Sequence, residues 1–391
     1  MLYLNMNSAK VQAKILLDKA GITINGPDDF DVHVFNEKVY ERVLRHGSLA
    51  IGESYMDGWW DAKRLDEFLY KALSADLGKQ FEFSFEVILT LLQFSFFNLQ
   101  SRAKVYVVGQ RHYDIGNDLY EKMLGKTMAY SCGYWSSPTK PAKTLDDAQN
   151  AKLDLICKKL NLKRGQHILD IGCGWGSFLK FAAKNYGVKG MGVTISKEQE
   201  AYAKKWCKGL PIEILMQDYR TLTGSFDHIV SVGMFEHVGV KNYHVYFKKA
   251  HELLKADGLF LLHTIGSNNS AIPLDLWIEK YIFPNGMLPS VAQIGKSVEG
   301  LFVMEDWHNF GADYDKTLMA WFKNFEKAWP KLEPKYGDPP LPGASARQGR
   351  FYRMWKYYLL SCAATFRVRN TQLWQVVLSK KGVPGGYKSI R

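Results

Sequence analysis

The sequence predicts an α/β protein: a doubly wound, mostly parallel sheet with an antiparallel last strand, preceded by a small and mainly helical domain. Two observations lead to this fold class. Between residues 145 and 265, short apolar strands alternate with helices, and that alternation is typical of a parallel sheet covered by helices on both faces. The loops after successive strands are rich in polar residues, as they are where such sheets bind ligands.

The predicted elements follow one another closely along the chain. Strands are expected at 168–171, 188–195, 212–216, 226–232 and 259–265, and a closing strand at 371–378 would form an antiparallel edge. Helices are expected at 145–160, 178–186, 197–207, 243–254 and 351–366. The stretches 277–286 and 302–314 are rich in aromatic residues and are predicted to be connections that cover an apolar substrate.

The length of the chain indicates more than one domain. We predict a helical domain at 1–100, with helices at 8–19, 39–45 and 66–75, and a larger domain at 101–391. An aromatic cluster at 52–60 is interpreted as a packed core in preference to a lipid-facing pocket. The Phe/Leu-rich run 81–97 fits a buried helix and a helix on a membrane surface equally well.

Composition and charge limit the kinds of binding partner and the kinds of metal or disulfide site that the chain is expected to have. A net charge of +12 predicts an anionic partner, and charge alone does not choose between nucleic acid and an acidic membrane. The longest apolar run, 87–97, is about half of the ~20 residues that a membrane-spanning helix needs. Five scattered cysteines without a C-x-x-C pair argue against a disulfide framework or a zinc site, so no metal is expected and a reducing cytoplasm is favoured.

One glycine-rich turn is central to the predicted site. Asp170 lies at the end of the first strand of the sheet, and Gly172, Gly174 and Gly176 follow at alternate positions before a helix. Glycine lets a ligand approach the main chain because it carries no Cβ. The spacing differs from the G-x-G-x-x-G of dinucleotide sites. It is similar to the loop that binds S-adenosylmethionine (SAM) in Rossmann-like methyltransferases.

Polar residues also follow the later strands. They occur at 194–196, 217–219, 233–237 and 263–264. Because the carboxyl ends of parallel strands meet at one edge of a sheet, these groups are expected to converge on one crevice. Taken alone, His263 within a strand would usually be a core histidine, and Glu236 with His237 would form a surface pair.

Segments spread over nearly the whole chain resemble the cyclopropane fatty acid synthase family, whose members add a methylene from SAM across a lipid double bond. These segments are GESYMDGWW, HYDIGNDLY, YSCGYW, LDIGCGWG, GVTIS, SVGMFEHVG, LLHTIG, KYIFPNG, MEDWHNFGADY and QLWQVV. Each segment is modest evidence by itself, but the ordered set of segments is specific to the family. It includes the N-terminal region that the related mycolic acid synthases lack, which favours phospholipid substrates. Loop 337–345 departs from the family because it is longer than expected.

The resemblance implies a Rossmann-like SAM-dependent methyltransferase fold at 101–391 and a lipid-associating role for 1–100. It implies a cyclopropane ring formed at the cis double bond of an unsaturated acyl chain in membrane phospholipids. An alkene is a weak nucleophile, so the sulfonium methyl of SAM is a suitable electrophile, and a bound bicarbonate is the expected base. The residues that match the family's catalytic and bicarbonate-binding positions are Cys132, Glu236, His263 and Tyr314, with the backbone of Ile265 nearby.

The resemblance also implies a set of SAM-binding residues. They are Tyr130, Ser131, Asp170, Gly172, Gly174, Gly176, Thr194, Gln199, Gln217, Asp218 and Tyr219. Asp170 would brace the loop or receive the methionine amine. Since no carboxylate follows the second strand, Thr194 and Gln199 would replace the acid that often holds the ribose. Residues 217–219 would grip adenine, and residues 130–131 would close over the methionine end.

Two alternatives remain open at this stage. One is a SAM-dependent methyltransferase that leaves a branched methyl or a methylene on the acyl chain. The other is a basic module or methyltransferase that binds nucleic acid, although the sequence has no long Lys/Arg tract and no recognisable nucleic-acid motif. The favoured hypothesis expects unsaturated phospholipids as partners, no nucleic acid and, by resemblance, a homodimer. It places the protein in the cytoplasm, peripherally bound to the inner face of the membrane.

Overall fold

The computed structural model describes residues 6–77, 115–270, 274–339, 341 and 349–391. Cα packing divides the chain into two compact units. The helical unit comprises Met1–Phe97, Pro273–Pro284 and Leu318–Asn370, and the sheet unit comprises Asn98–Ile272, Asn285–Thr317 and Thr371–Arg391. The predicted boundary between residues 100 and 101, the run 81–97 and most of loop 337–345 lie outside the described residues.

The described elements are numbered in chain order. The helices are α1 Met6–Lys19, α2 Lys38–Met56, α3 Leu65–Ser74, α4 Asn117–Leu124, α5 Leu145–Lys159, α6 Ser177–Tyr186, α7 Lys197–Trp206, α8 Tyr243–Leu253, α9 Leu276–Tyr281, α10 Val291–Val298, α11 Ala312–Tyr336 and α12 Arg350–Arg367. The strands are β1 His33–Val34, β2 Trp60–Asp61, β3 His167–Ile171, β4 Lys189–Thr194, β5 Ile212–Met216, β6 Phe226–Val232, β7 Leu254–Ser267, β8 Val303–Asn309 and β9 Thr371–Ser379. None of the helices in the described ranges is long and apolar enough to cross a membrane.

The sheet unit is built on seven strands in the order β5-β4-β3-β6-β7-β9-β8. Strands β3 to β7 run parallel, and β9 lies antiparallel between β7 and β8. The predicted fold class, a mostly parallel sheet with an antiparallel last strand, is confirmed. The last strand is not the edge, however, because β8 pairs outside it. Residues 302–314 were predicted as a connection and instead contain this edge strand.

Helices cover both faces of the sheet because alternate strand residues point to opposite sides. On one face, Leu153 of α5 and Phe178 of α6 pack with Ile168, Val230 and the strand residues of the same side. On the other face, α8 and α10 pack against the neighbouring strand positions. The residues of that second layer include Leu169, Ile171, Ile229, Tyr246, Phe247, Phe260, Leu262, Ile294, Trp374 and Val376. Burying each large apolar side chain contributes about 1.5–3 kcal/mol.

Local signals explain where the helices around the site begin. The Thr144 hydroxyl accepts from the Asp147 N–H, and the Asp147 carboxylate accepts from the Thr144 N–H, so a capping box starts α5. α6 starts after Gly176, whose φ of +87° is in the left-handed region that favours glycine. α7 starts at Ser196, whose side chain accepts from the Gln199 N–H. The last two starts place α6 and α7 directly after the loops that follow β3 and β4.

In the helical unit, the predicted helices at 8–19 and 66–75 correspond to α1 and α3. The predicted helix at 39–45 corresponds to the first part of α2, which is broken at Gly47, where φ is +56° and ψ is −136°. A second helical segment follows the break and ends at Met56.

The aromatic cluster of the helical unit is buried. Tyr55 and Trp60 are 0% and 2% exposed, and a Cβ on Gly52 would come within 2.3 Å of the Trp277 indole. Arg353, also fully buried, donates to the backbone carbonyls of Tyr55 and Trp60. The cluster is therefore a packed core, as the favoured interpretation predicted.

Candidate active site

A solvent-open cavity lies in the sheet unit at the carboxyl ends of β3, β4, β5 and β6. Its void space, with the open mouth included, is about 1360 Å³. Of the predicted cofactor residues, all but Gly176 line it: Tyr130, Ser131, Asp170, Gly172, Gly174, Thr194, Gln199, Gln217, Asp218 and Tyr219. Polar residues after β3, β4, β5 and β6 thus converge on one crevice, as the sequence predicted. The prediction was wrong for Glu236, His263 and Thr264, which do not line this cavity.

The three loop glycines have different structural roles. All have positive φ, at +85°, +54° and +87° for Gly172, Gly174 and Gly176. A Cβ at Gly172 would lie 2.6 Å from the Met234 side chain, whereas a Cβ at Gly174 would have no atom of the described residues within 4 Å. A Cβ at Gly176 would lie 3.1 Å from Cys207 Sγ. Gly174 therefore leaves the main chain open to the cavity, and Gly176 permits close packing of α6 against α7.

The end of β4 carries the two residues predicted to replace the ribose-binding acid. The Thr194 hydroxyl donates to Gln199 Oε1 at 2.7 Å, and the Ser196 N–H donates to the Thr194 hydroxyl at 3.3 Å. Both side chains are largely buried. The pair is held as one unit that presents neutral hydrogen-bonding groups to the cavity.

The loop after β5 contains an ion pair within the cavity wall. The Arg220 guanidinium donates to both oxygens of Asp218 at 2.5–3.0 Å, and Arg220 itself lines the cavity. Sequence reasoning did not single out Arg220. Because Arg220 occupies both carboxylate oxygens, Asp218 fixes the shape of the 217–219 loop in addition to facing the cavity.

Sequence reasoning also missed Lys152. This α5 lysine is 1% exposed, lines the cavity and donates from Nζ to Ser131 Oγ at 2.8 Å. Burial lowers the pKa of Lys152 to about 8, although Cys132 and Asp170 oppose the shift. A signal was present, since position 152 is four residues after Ala148 and four before Ile156, on the apolar face of the predicted helix.

Asp170 is buried in the wall of the same cavity. The residue is 2% exposed, and its Oδ1 atom has no hydrogen-bond partner among the described residues. Burial raises the pKa of Asp170 to about 7, and the nearby Lys152 charge lowers it. An unpaired buried carboxylate oxygen is costly unless a ligand or water satisfies it.

The predicted catalytic residues lie outside the cavity lining, buried in the sheet unit. The Ile265 N–H donates to Glu236 Oε1 at 2.7 Å, so the turn after β6 is joined to β7, which also carries His263. Cys132 Sγ lies 4.0 Å from Thr317 Oγ1, and Tyr314 lies on the same helix, α11. The structure thus joins Glu236 to β7 and Cys132 to α11, and among the described residues no hydrogen bond links the Cys132 side chain to Glu236 or His263.

Glu236 and His263 each have an unsatisfied buried atom. Glu236 Oε2 and His263 Nε2 have no partner among the described residues. Burial raises the pKa of Glu236 to about 7, partly offset by the Ile265 N–H. Burial, with the charges of Lys152, Lys159 and His308, holds the pKa of His263 well below its usual value, so this imidazole is neutral.

The protonated nitrogen of His263 follows from its other contact. The Gln375 amide nitrogen lies 3.3 Å from His263 Nδ1. With the amide placed this way it donates to Nδ1, which assigns the proton to Nε2. The two unsatisfied atoms are then an acceptor, Glu236 Oε2, and a donor, His263 Nε2–H.

The loop that carries Tyr130, Ser131 and Cys132 is fixed from α11. The Asp313 carboxylate accepts from the backbone N–H groups of Trp135 and Ser136 at 2.7 and 2.9 Å. The Thr317 hydroxyl accepts from the Gly133 N–H at 3.0 Å and from the Trp135 indole at 2.9 Å. These partners are 177 to 184 residues apart in the chain, so no local pattern could have revealed them.

Two further histidines, His308 and His237, have defined environments in the sheet unit. His308 Nδ1 lies 3.1 Å from the buried Lys159 ammonium, within an ion network that includes Asp306. His237 lines the cavity, and burial lowers its pKa to about 4. His112 lies outside the described residues.

Comparison with known proteins places the chain in a family. The profile of mycolic acid cyclopropane synthetases matches residues 100–376. Cyclopropane-fatty-acyl-phospholipid synthase of Escherichia coli K12 is 52% identical over 379 residues, 97% of this chain and 95% of that protein. A probable fatty acid methyltransferase of Pseudomonas putida is 37% identical over 287 residues, 70% of this chain and 69% of that protein.

A solved structure agrees with these sequence matches. The crystal structure of mycolic acid cyclopropane synthase CmaA1, complexed with SAH and CTAB, superposes with a TM-score of 0.61 at 30% identity, covering 70% of this chain and 98% of that one. The resemblance noted in the sequence is confirmed. The chain belongs to the mycolic acid cyclopropane synthetase family and is a SAM-dependent enzyme of the methyltransferase class.

Proposed function

We propose that this enzyme transfers a methylene from SAM across the cis double bond of an unsaturated acyl chain in a membrane phospholipid, forming a cyclopropane ring. The observation that carries the proposal is a pair of buried atoms with no partner among the described residues, Glu236 Oε2 in the turn after β6 and His263 Nε2 on β7. Other residues of the turn after β6 line the cofactor cavity. The E. coli relative, named for the same reaction, supports the phospholipid substrate.

The reaction needs an electrophile and then a base. One alkene carbon takes the sulfonium methyl as the methyl–sulfur bond breaks, and the other alkene carbon becomes a cation. Removing one proton from the new methyl frees the C–H electron pair, which closes the ring. S-adenosylhomocysteine is the leaving product. SAM, the methyl donor, binds at the glycine loop and the strand ends. The base is needed in an apolar setting, where it can take the proton from the new methyl group.

We propose bicarbonate as that base, held by Cys132, Glu236, His263 and Tyr314 near the backbone of Ile265. When bound, it would supply an oxygen that takes the proton. The residues fit such an ion: Glu236 Oε2 can accept its O–H, and His263 Nε2–H can donate to one of its oxygens. The Ile265 N–H is engaged by Glu236 Oε1, so its main contribution is to orient that carboxylate.

Membrane association belongs to the same proposal. A net charge of +12 would attract anionic head groups, and the acyl chain would leave the bilayer to reach an aromatic-lined pocket. We place the enzyme in the cytoplasm, peripherally bound to the inner face of the membrane, with the helical domain at 1–100 contacting lipid. The homodimer expected from the resemblance is part of this proposal, and sedimentation equilibrium of the full chain tests it.

The direct test is incubation with SAM and liposomes of unsaturated phospholipid, followed by mass analysis of the released fatty acids. Gain of one methylene per double bond is expected. An unchanged acyl mass, together with tight and salt-sensitive binding of RNA in a filter assay, would favour the nucleic-acid alternative instead.

A second candidate is transfer that leaves a branched methyl or a methylene on the acyl chain. The 37% identity to a probable fatty acid methyltransferase supports this second candidate function. SAM with a deuterated methyl separates the products, because a retained methyl keeps all three labels and ring closure loses one. An exocyclic methylene also loses one label, so the high-field ring protons in an NMR spectrum decide between those two.

A further inference from the structure

Lys152 is a buried cation that has no counter-ion among the described residues. Its side chain is 1% exposed, and within the described ranges its ammonium makes one hydrogen bond, to Ser131 Oγ at 2.8 Å. An ammonium has three donors, so two remain for other partners. No Asp or Glu oxygen of the described residues lies within 4.0 Å of its Nζ, although buried ion pairs elsewhere in the unit, such as Lys159 with Asp306, do meet that distance.

A buried ammonium without a carboxylate is unfavourable by several kcal/mol. Proteins normally retain such a group only where a charged partner arrives. Lys152 faces the cofactor cavity rather than a closed core, so the missing partner can be part of a ligand. Its attraction to Asp170 is electrostatic and acts over a longer distance than an ion pair.

The position of Lys152 indicates which part of the ligand this side chain contacts. Its hydrogen-bond partner Ser131 belongs to the segment expected to close over the methionine end of the donor, and Asp170 lies in the same cavity with Oδ1 unsatisfied. One wall thus offers an unpaired cation and an unpaired carboxylate oxygen. The methionine end of SAM carries the complementary groups, an α-carboxylate and an α-ammonium.

We propose that Lys152 binds the α-carboxylate of SAM while Asp170 receives its α-ammonium. The two side chains then recognise the zwitterion as a unit and hold the sulfonium in a fixed position in the cavity. Lys152 is a binding residue in this account and takes no part in proton transfer to or from the acyl chain. The assignment rests on SAM as the donor and does not depend on which product forms.

The test compares SAM with decarboxylated SAM, which lacks only the carboxylate. Calorimetry on the full-length protein gives the dissociation constants of both ligands for the wild type, Lys152→Met and the control Lys158→Met. Lys158 is on the same helix, and its side chain is 57% exposed. Near-UV circular dichroism checks that each variant is folded.

We expect wild type and Lys158→Met to bind SAM at least tenfold more tightly than decarboxylated SAM. Lys152→Met should lose roughly ten- to a hundredfold in SAM affinity, as expected for a charged hydrogen bond, and bind the decarboxylated ligand as wild type does. Equal loss for both ligands would overturn the assignment and mean that Lys152 only supports the loop through Ser131. Absence of discrimination by the wild type would overturn it without any variant. Neither outcome bears on cyclopropane formation, which the liposome assay measures separately.

Discussion

The backbone N–H of Ile265 donates a 2.7 Å hydrogen bond to Glu236 Oε1, and the other carboxylate oxygen, Oε2, is buried without a partner among the described residues. A β7 backbone group therefore fixes one half of the carboxyl group and leaves the other half available. This arrangement orients the Glu236 carboxyl group and leaves Oε2 available to accept a hydrogen bond. The effects expected of Glu236→Gln and of bicarbonate removal depend on this relationship.

Glu236→Gln should reduce turnover by at least about a hundredfold, the range typical for loss of acid–base assistance, and leave SAM affinity within about twofold. The amide keeps the size of the side chain, but it has one acceptor oxygen, and its NH2 group only donates. Rates come from the liposome assay and affinity from calorimetry. Glu213→Gln, on the exposed part of β5, is the control. If SAM affinity falls as far as turnover does, Glu236 belongs to the cofactor site and the assignment fails.

The stability of the protein should depend on the charge of Glu236. Burial raises its pKa to about 7 in the folded state, above the ~4.3 of an unfolded glutamate. The folded state therefore holds this proton more tightly, and the resulting stability is complete below the unfolded pKa and is lost as pH rises through about 7. Denaturant unfolding from pH 5 to 8 should show Glu236→Gln gaining stability relative to wild type as pH rises. A difference that is constant with pH would contradict the buried, ionisable carboxyl group.

Removal of bicarbonate should lower the activity of the wild type. Buffers purged of carbon dioxide would deplete the proposed base, and added bicarbonate should restore the rate in a saturable way. Glu236→Gln should respond little, because the ion would lack its acceptor. A wild-type rate that is indifferent to bicarbonate would exclude the ion as the base and leave Glu236 itself as the nearest candidate.

Thr317→Val should loosen the loop that carries Cys132. The Thr317 hydroxyl accepts from the Gly133 N–H and the Trp135 indole, and leaving buried donors unsatisfied costs about 1–3 kcal/mol each. We expect a loss of about 2 kcal/mol in the free energy of unfolding and a lower turnover. The control is Thr139→Val, at an exposed position of the same connection. Equal effects in the two variants would mean that Thr317 has no special structural role.

Gly174→Ala should weaken SAM binding by more than tenfold. The new methyl would have no atom of the described part of the chain within 4 Å and would enter the space expected for the donor. The φ of +54° would add strain of about 1–2 kcal/mol. Gly209→Ala is the matched control, since it has a φ of +83°, equally open surroundings and an exposed turn. Similar destabilisation of both, with SAM affinity lost only in Gly174→Ala, is the expected pattern. Unchanged affinity would move the donor away from Gly174.

The fold was predictable because its strands are short apolar runs that end at glycine or polar residues. β5 and β6 have the predicted bounds, and α5 to α8 begin and end within one residue of prediction. β8 was missed because its sequence contains the charged Glu305 and Asp306. The Asp306 carboxylate is tolerated in a strand because Lys159 and Arg391, distant in sequence, neutralise it.

The site was predictable where it depends on loops that directly follow strands. The converging set around Asp170 is of this kind. The links from Asp313 and Thr317 to loop 131–136 depend on tertiary packing, which a local pattern does not encode. Lys152 was visible in the sequence as a lysine on an apolar helix face, a pattern that deserves the same weight as a motif.

The measurement that tests the central claim most directly is the fatty-acid product formed from liposomes of cis-unsaturated phospholipid with methyl-deuterated SAM. The acyl chains are expected to gain one carbon and to carry two deuterium atoms in a cyclopropane ring, identified by mass and by the high-field ring signals in NMR spectra. A product that keeps all three deuterium atoms, or acyl chains that remain unchanged while SAM binds normally, would contradict it.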